Sequence, residues 1–321
     1  MTRTIIAQTT GGPDVLQLGE AAELVAGPGE LLVETAAVGV NFVETYQRSG
    51  LYTVPFPFTP GEEASGRVLA VGEGVAGFAV GDLVTTSEAR ATYAERFLVD
   101  AARAVSVPAG IDAETAAAIP LQGLTAHYLA TSAAQPQPGE TVLVHAGAGG
   151  VGLLLTQLLT ARGVRVITTA STPEKHALSR EAGAAEVLPY AGFAEAVRDL
   201  TDGAGVSVVY DGVGRDTFDD SLRALRVRGT LVLFGAASGP VPPFDLQRLN
   251  AGGSLSVTRP SLGHFLQSSE ERAWRYGELF AAIAAGQLQL RIGARFPLEE
   301  AAAAHRALEG RATTGKVILL P

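Results

Sequence analysis

The stretch Val142-Leu143-Val144-His145-Ala146-Gly147-Ala148-Gly149-Gly150-Val151-Gly152-Leu153 limits what this chain can fold into more than any other. An apolar run of strand character passes into Gly147-x-Gly149-x-x-Gly152 and then into a helical pattern. In that order the first glycine permits a tight turn, the second lets the backbone approach a diphosphate, and the third lets helix pack on strand. The helix start offers free N–H groups and the positive end of the helix dipole, both of which favour an anion. Gly147, Gly149, Gly150, Val151 and Gly152 are therefore candidate dinucleotide contacts. A glycine-rich turn with no ligand is the alternative, and the flanking strand and helix weigh against it.

A loop of this kind belongs to a parallel sheet covered by helices, and the chain around it has that rhythm. Strands are predicted at Thr141 to Ala146, Val164 to Ala170, Glu186 to Tyr190, Val206 to Gly212, Thr230 to Gly235 and Ser254 to Thr258, enough for a doubly wound sheet. Thr172-Pro173-Glu174-Lys175 predicts a helix start, with a hydroxyl at the N-cap, Pro at the first helical position and Gly183 past the end. The first third reads differently. Short β segments at Leu31 to Val38, Ala64 to Val71, Asp82 to Thr86 and Ala94 to Val99 are separated by glycine-rich turns, with few helices. After Pro260 come helical stretches near Glu270 to Ala285 and Leu298 to Leu308 and a last strand at Lys316 to Leu320. At 321 residues two domains are expected. The division is 1–122 with 265–321 for the β-rich domain and 123–264 for the α/β domain.

About twenty residues past the glycine loop, an NAD site would carry Asp or Glu for the ribose 2′-hydroxyl. Here the second strand ends Thr168-Thr169-Ala170-Ser171-Thr172, with no acid, and Lys175 follows. Hydroxyls such as Ser171 and a lysine accept a 2′-phosphate that a carboxylate would repel, so NADPH is the expected coenzyme. Lys175 on a solvated helix face is the competing reading. The chain has net charge −9 and scattered Lys and Arg, which argues against nucleic-acid binding. It has no cysteine, which excludes disulfides, thiolate chemistry and Cys-ligated metal sites. No segment approaches the roughly 18 apolar residues of a membrane span, and a cytoplasmic protein is expected.

Taken together with Gly11-Gly12-Pro13-Asp14-Val15-Leu16, Val38-Gly39-Val40-Asn41-Phe42, Arg48-Ser49-Gly50-Leu51-Tyr52, Pro60-Gly61-Glu62-Glu63-Ala64-Ser65-Gly66, Gln122-Gly123-Leu124-Thr125-Ala126, Tyr210-Asp211-Gly212-Val213-Gly214 and Val257-Thr258-Arg259-Pro260-Ser261, the chain resembles the NADPH:quinone oxidoreductases of the zinc-free medium-chain dehydrogenase/reductases. The likeness runs over essentially the whole chain. It implies an α/β fold with a Rossmann doubly wound parallel sheet, a GroES-like catalytic domain built from both chain ends, and a homodimer. It also implies coenzyme contacts at Asn41, Thr125, Tyr190, Val213, Gly235, Val257, Arg259 and Arg311, with Lys175, Tyr190 and Arg311 around the 2′-phosphate. Glu44 departs from the Asp of close relatives, and Thr160 from a usual basic residue.

Zinc-dependent members of that superfamily carry Cys and His where this chain has Asn41 and Glu62, and the five histidines show no ligand spacing, so no metal is expected. Without a Lewis acid, an ordinary ketone is poorly polarised, whereas a quinone accepts hydride readily because its product is aromatic. The protein then has to stack a flat acceptor, exclude water and offer hydrogen bonds to the developing oxyanion. Asn41, Tyr46 and Tyr52 are the candidates, the tyrosines having core packing as their alternative. Two other functions remain open on the sequence: reduction of a double bond conjugated to a carbonyl, and a non-catalytic NADPH-binding protein of crystallin or RNA-binding type.

Overall fold

A computed structural model describes residues 1–321. The chain divides into two compact units, Met1–Gln122 with Ser268–Pro321, and Gly123–Gln267.

In the first unit the long apolar strand Glu30–Val40 is the hub of a seven-stranded sheet. It pairs antiparallel with Ala64–Val71, with Arg96–Asp100 and with the C-terminal strand Lys316–Leu320. Lys316–Leu320 is buried along nearly its whole length, which is why the end of the chain returns to this sheet. Ile292–Pro297 adds a parallel strand outside it, and Leu83–Thr86 with Val105–Ser106 extends the other side. Ile5, Val33, Val38, Val68, Tyr93, Phe97, Leu298, Val317 and Leu319 share one core. Immediately after the hub strand, helix Phe42–Ser49 begins at Asn41 in extended geometry and ends on Gly50 at φ 83°. Only a residue without a side chain adopts that left-handed stop at no steric cost. This helix, the hairpin Thr2–Ala7 with Leu16–Ala21, and strand Ile292–Pro297 add to the predicted elements.

In the second unit six parallel strands lie in the order Glu186–Leu188, Arg165–Thr169, Thr141–Val144, Val206–Asp211, Leu225–Leu233 and Ser256–Thr258. Numbered along the chain that order is 3-2-1-4-5-6, the doubly wound arrangement of a Rossmann sheet. The first strand ends at Val144 rather than Ala146, because Ala146 turns into the left-handed region at φ 53°. The fifth starts at Leu225 rather than Thr230, because an irregularity at Val206/Val208 lets Leu225 pair with Val206. The predicted helix start is present: helix Pro173–Glu181 has Thr172 Oγ1 accepting from Lys175 N at 3.3 Å, and Gly183 follows at φ 103°. Phe265 stacks on Tyr128 at 4.4 Å between centroids and 3° between planes. Residues 265–267 fall in the second unit, three residues beyond the junction expected from sequence. No helix is long and apolar enough to cross a membrane.

Candidate functional site

In an open α/β sheet ligands bind beyond the carboxyl ends of the strands, at the point where strand order reverses. Here that point lies between Arg165–Thr169 and Thr141–Val144 on one side and Val206–Asp211 on the other. The glycine loop occupies it, joining Thr141–Val144 to helix Gly150–Ala161. A Cβ on Gly152 would lie 2.3 Å from Ala146 O and 2.9 Å from Gly147 Cα, so the helix start and the turn are in backbone contact. A Cβ on Gly147 would lie 2.5 Å from Thr168 Cβ on the neighbouring strand. Gly149 differs: its Cβ would meet only the Ala146 region, at 3.1 Å, and otherwise open space. No side chain caps this helix at Gly149, so its first N–H groups, with Gly150 and Val151 among them, point at that space. This arrangement fits a diphosphate.

The other candidates of this unit fall mostly at strand ends. Ser171, Tyr190, Val213 and Gly235 follow the second, third, fourth and fifth strands, and Val257 and Arg259 lie in and just after the sixth. Gly235 is tied to the fourth strand, its N–H donating to Asp211 O, and a Cβ there would lie 2.6 Å from Gly212 O. Thr125, nearly buried, sits on helix Pro120–Tyr128. Beside the second strand a cleft of about 560 Å³ is lined by Ala170, Ser171, Thr172, Pro173, His176, Arg180, Pro189 and Tyr190. It contains no carboxylate and one guanidinium, a composition suited to a phosphate. Lys175 is half-buried on the same helix but does not line the cleft. Arg180 and His176 do, four residues apart and so on one helix face. His176 Nε2 donates to Ala170 O at 3.1 Å, which holds the helix against the strand end.

In the first unit Asn41 is buried in a polar cluster. Its Oδ1 accepts from Lys316 Nζ at 2.6 Å, and its Nδ2 donates to Glu63 Oε2 at 2.9 Å. Lys316 also pairs directly with Glu63, both fully buried, and Glu63 Oε1 accepts from Leu121 N at 2.6 Å. The sequence contains no signal for this pair, since 253 residues separate its members and it takes the pairing of both Lys316–Leu320 and Ala64–Val71 with Glu30–Val40 to bring them together. Gly39 makes room for it, because a Cβ there would fall 2.0 Å from Glu63 Oε2. Tyr46 and Tyr52 meet edge to face at 5.4 Å and 65°, with Tyr52 N donating to Tyr46 O. Tyr52 is exposed, so the two rings present an aromatic surface rather than filling the core. Arg311 lies in the exposed turn after helix Ala301–Glu309, at φ 55°.

Glu44 supplies an acceptor to the Asn41 N–H at 2.8 Å, yet its Oε1 is buried without a partner. Burial, reinforced by the negative charge of Glu62 and only partly opposed by Lys316, pushes its carboxyl up to about 8. A folded-state value above the ordinary 4.5 means that its contribution to stability is complete below about pH 4.5. That contribution is lost as pH rises toward about 8. Denaturant unfolding across that window should therefore show stability falling with pH, and Glu44→Gln should flatten the slope; an unchanged slope would assign it to other groups.

Residues 27–139 match the family described as the alcohol dehydrogenase GroES-like domain, and residues 150–276 the one described as zinc-binding dehydrogenase. The chain is 44% identical over 325 residues to the quinone oxidoreductase of Pseudomonas aeruginosa, covering 100% of both. It is 38% identical over 334 residues to the 2-haloacrylate reductase of a Burkholderia species, covering 100% of this chain and 99% of the other. Among solved structures, the Escherichia coli quinone oxidoreductase complexed with NADPH superposes with a TM-score of 0.97 at 41% identity, covering 100% of both chains. The zinc of the second description does not suit the residues here. Asn41 Oδ1 and Glu63 Oε2 already share the Lys316 ammonium, which would repel a second cation, and Glu62 Oε1 is taken by Gln47 Nε2 at 3.0 Å. With whole-chain likeness, a Rossmann sheet, a GroES-like unit and this metal-unsuited cluster, the chain belongs to the quinone oxidoreductase family of the medium-chain dehydrogenase/reductases.

Proposed function

We propose that this chain is an NADPH-dependent reductase that passes a hydride to a small quinone. The observation that carries the proposal is the uncapped helix Gly150–Ala161 behind an open Gly149, beside a cleft with a guanidinium and no carboxylate. When bound, NADPH supplies the hydride. The N–H groups of the glycine loop hold the diphosphate, Ser171 and Arg180 in the cleft lining hold the 2′-phosphate, and Lys175 adds its charge from the first turn of the same helix. Thr125, Tyr190, Val213, Gly235, Val257, Arg259 and Arg311 complete the coenzyme contacts. Asn41, fixed at both ends of its amide by Lys316 and Glu63, orients the reacting groups. The Tyr46 hydroxyl donates to the oxygen that gains charge, and Tyr52 walls the acceptor. Quinone chemistry asks only this of the protein, because aromatisation of the product provides the driving force.

The likeness to 2-haloacrylate reductase favours one second reading, reduction of a conjugated double bond with Tyr46 as the proton donor. NADPH oxidation with 1,4-naphthoquinone and with a crotonyl thioester separates the two. Faster turnover of the quinone is expected, and faster turnover of the thioester would replace the first reading with the second. Tight NADPH binding with no oxidation by either acceptor would mean a binding protein. Coenzyme choice gives a separate prediction. Arg180→Ala should raise the KM for NADPH about tenfold, the loss of one charge-assisted contact, while leaving that for NADH nearly unchanged. Equal effects on both would remove Arg180 from the phosphate site. A homodimer joined at the sheet edge Ser256–Thr258 belongs to the same reading, supported by exposed Val257 in that edge strand.

A further inference from the structure

The second unit contains a buried polar chain that the coenzyme contacts do not include. Asp211, fully buried at the end of the fourth strand, accepts from Val213 N at 2.8 Å and Gly214 N at 2.9 Å through Oδ1. Its Oδ2 accepts from Thr217 Oγ1 at 2.8 Å and Ser221 Oγ at 3.1 Å. Ser221 Oγ lies 2.9 Å from His145 Nε2, and His145 Nδ1 lies 2.9 Å from Thr169 Oγ1. Thr169 Oγ1 lies 3.3 Å from the backbone N of Ala146, the left-handed residue of the glycine loop, and Thr169 O accepts from Gly147 N at 2.9 Å.

The sense of every bond in this chain follows from one end. Asp211 as a carboxylate only accepts, so the single hydroxyl proton of Ser221 goes to it, and Ser221 must then accept from His145 Nε2–H. Burial holds His145 below the usual histidine range, the nearby Asp211 and Asp220 only partly opposing this, so the ring is neutral and its Nδ1 is bare. Thr169 then donates its proton to Nδ1 and keeps a lone pair for the Ala146 N–H. One carboxylate thus orders two loops: the turn at Val213 and Gly214 directly, and the glycine loop through three side chains on separate elements.

We propose that Asp211, Ser221, His145 and Thr169 are positioning residues that set the conformation of the glycine loop, and through it the affinity for the coenzyme. This rests on the reading of that loop as the NADPH diphosphate site. None of these four residues is among those assigned to the acceptor, so their effect falls on coenzyme binding more than on turnover.

Thr169→Val removes the hydroxyl and keeps the shape. It should raise the KM and the calorimetric Kd for NADPH about three- to tenfold, by more than it lowers kcat, and Thr169→Ser should restore both. In the unaltered protein, nitrogen–proton correlations of the His145 ring should show Nε2 protonated and Nδ1 bare. An Nδ1-protonated ring, or a Thr169→Val protein that binds NADPH as the unaltered one does, would overturn the proposal. Should Thr169→Val not fold, the tautomer decides alone. If the unaltered protein itself fails to bind NADPH, the functional reading falls, and that outcome is distinct from equal binding by both forms.

Discussion

Lys316→Met should lower the unfolding free energy by about 3–5 kcal/mol, the usual loss when one member of a buried ion pair is removed. Lys316 and Glu63 are both fully buried, and the ammonium serves Asn41 as well as Glu63. Without it a carboxylate is left in the core with only the Asn41 amide and the Leu121 N–H as donors. The double variant Lys316→Met, Glu63→Gln should recover most of the loss, since it removes the stranded charge rather than the pair's attraction alone. Urea unfolding of the two single variants and the double gives the coupling directly. Additive losses would mean that the two groups act independently and that Asn41 is held by something else.

The second large effect separates two glycines of one loop. Gly152→Val places a side chain against Ala146 O and Gly147 Cα, backbone atoms that cannot swing aside, so the loop itself must move. Overpacking of this kind costs about 1–3 kcal/mol, and if it falls on the bound conformation the Kd for NADPH rises by about 10- to 100-fold. Thermal stability should fall with it. Gly149→Ala adds a methyl 3.1 Å from Ala146 O, a tight contact that a shift of a few tenths of an ångström relieves, so it should lower the unfolding temperature much less than Gly152→Val does. The methyl projects into the space assigned to the diphosphate, and NADPH binding should weaken all the same. Calorimetry for Kd and scanning for Tm read both. If Gly149→Ala binds NADPH normally, the diphosphate does not lie against that residue.

What the sequence disclosed of this protein is what adjacent residues encode. The glycine loop is legible because turn, close approach and helix packing are written within six residues, and the Thr172 cap because a hydroxyl, a proline and Gly183 stand at fixed offsets. The extra length of Leu225–Leu233 was hidden because its start depends on an irregularity in the neighbouring strand. Arg180 was hidden for a different reason: reading along the strand end stops at Lys175, whereas the helix turns His176 and Arg180 onto the cleft. The polar clusters around Asn41 and Asp211 are the least local features. Asn41 is recognisable as a candidate by itself, but the ammonium that fixes it arrives from the last strand. His145 reads as a structural residue at the sheet edge, and only its partners on three other elements give it a direction.

The claim on which the account rests is that the adenosine 2′-phosphate is held at the tip of the second strand of the Rossmann sheet. Calorimetric titration with 2′-phospho-AMP and with AMP tests it with neither nicotinamide nor acceptor present. Binding of the phosphorylated nucleotide at least about tenfold tighter, with the difference shrinking at high salt as a phosphate–guanidinium contact requires, is the predicted result. Equal affinity for the two, unaffected by salt, would contradict it.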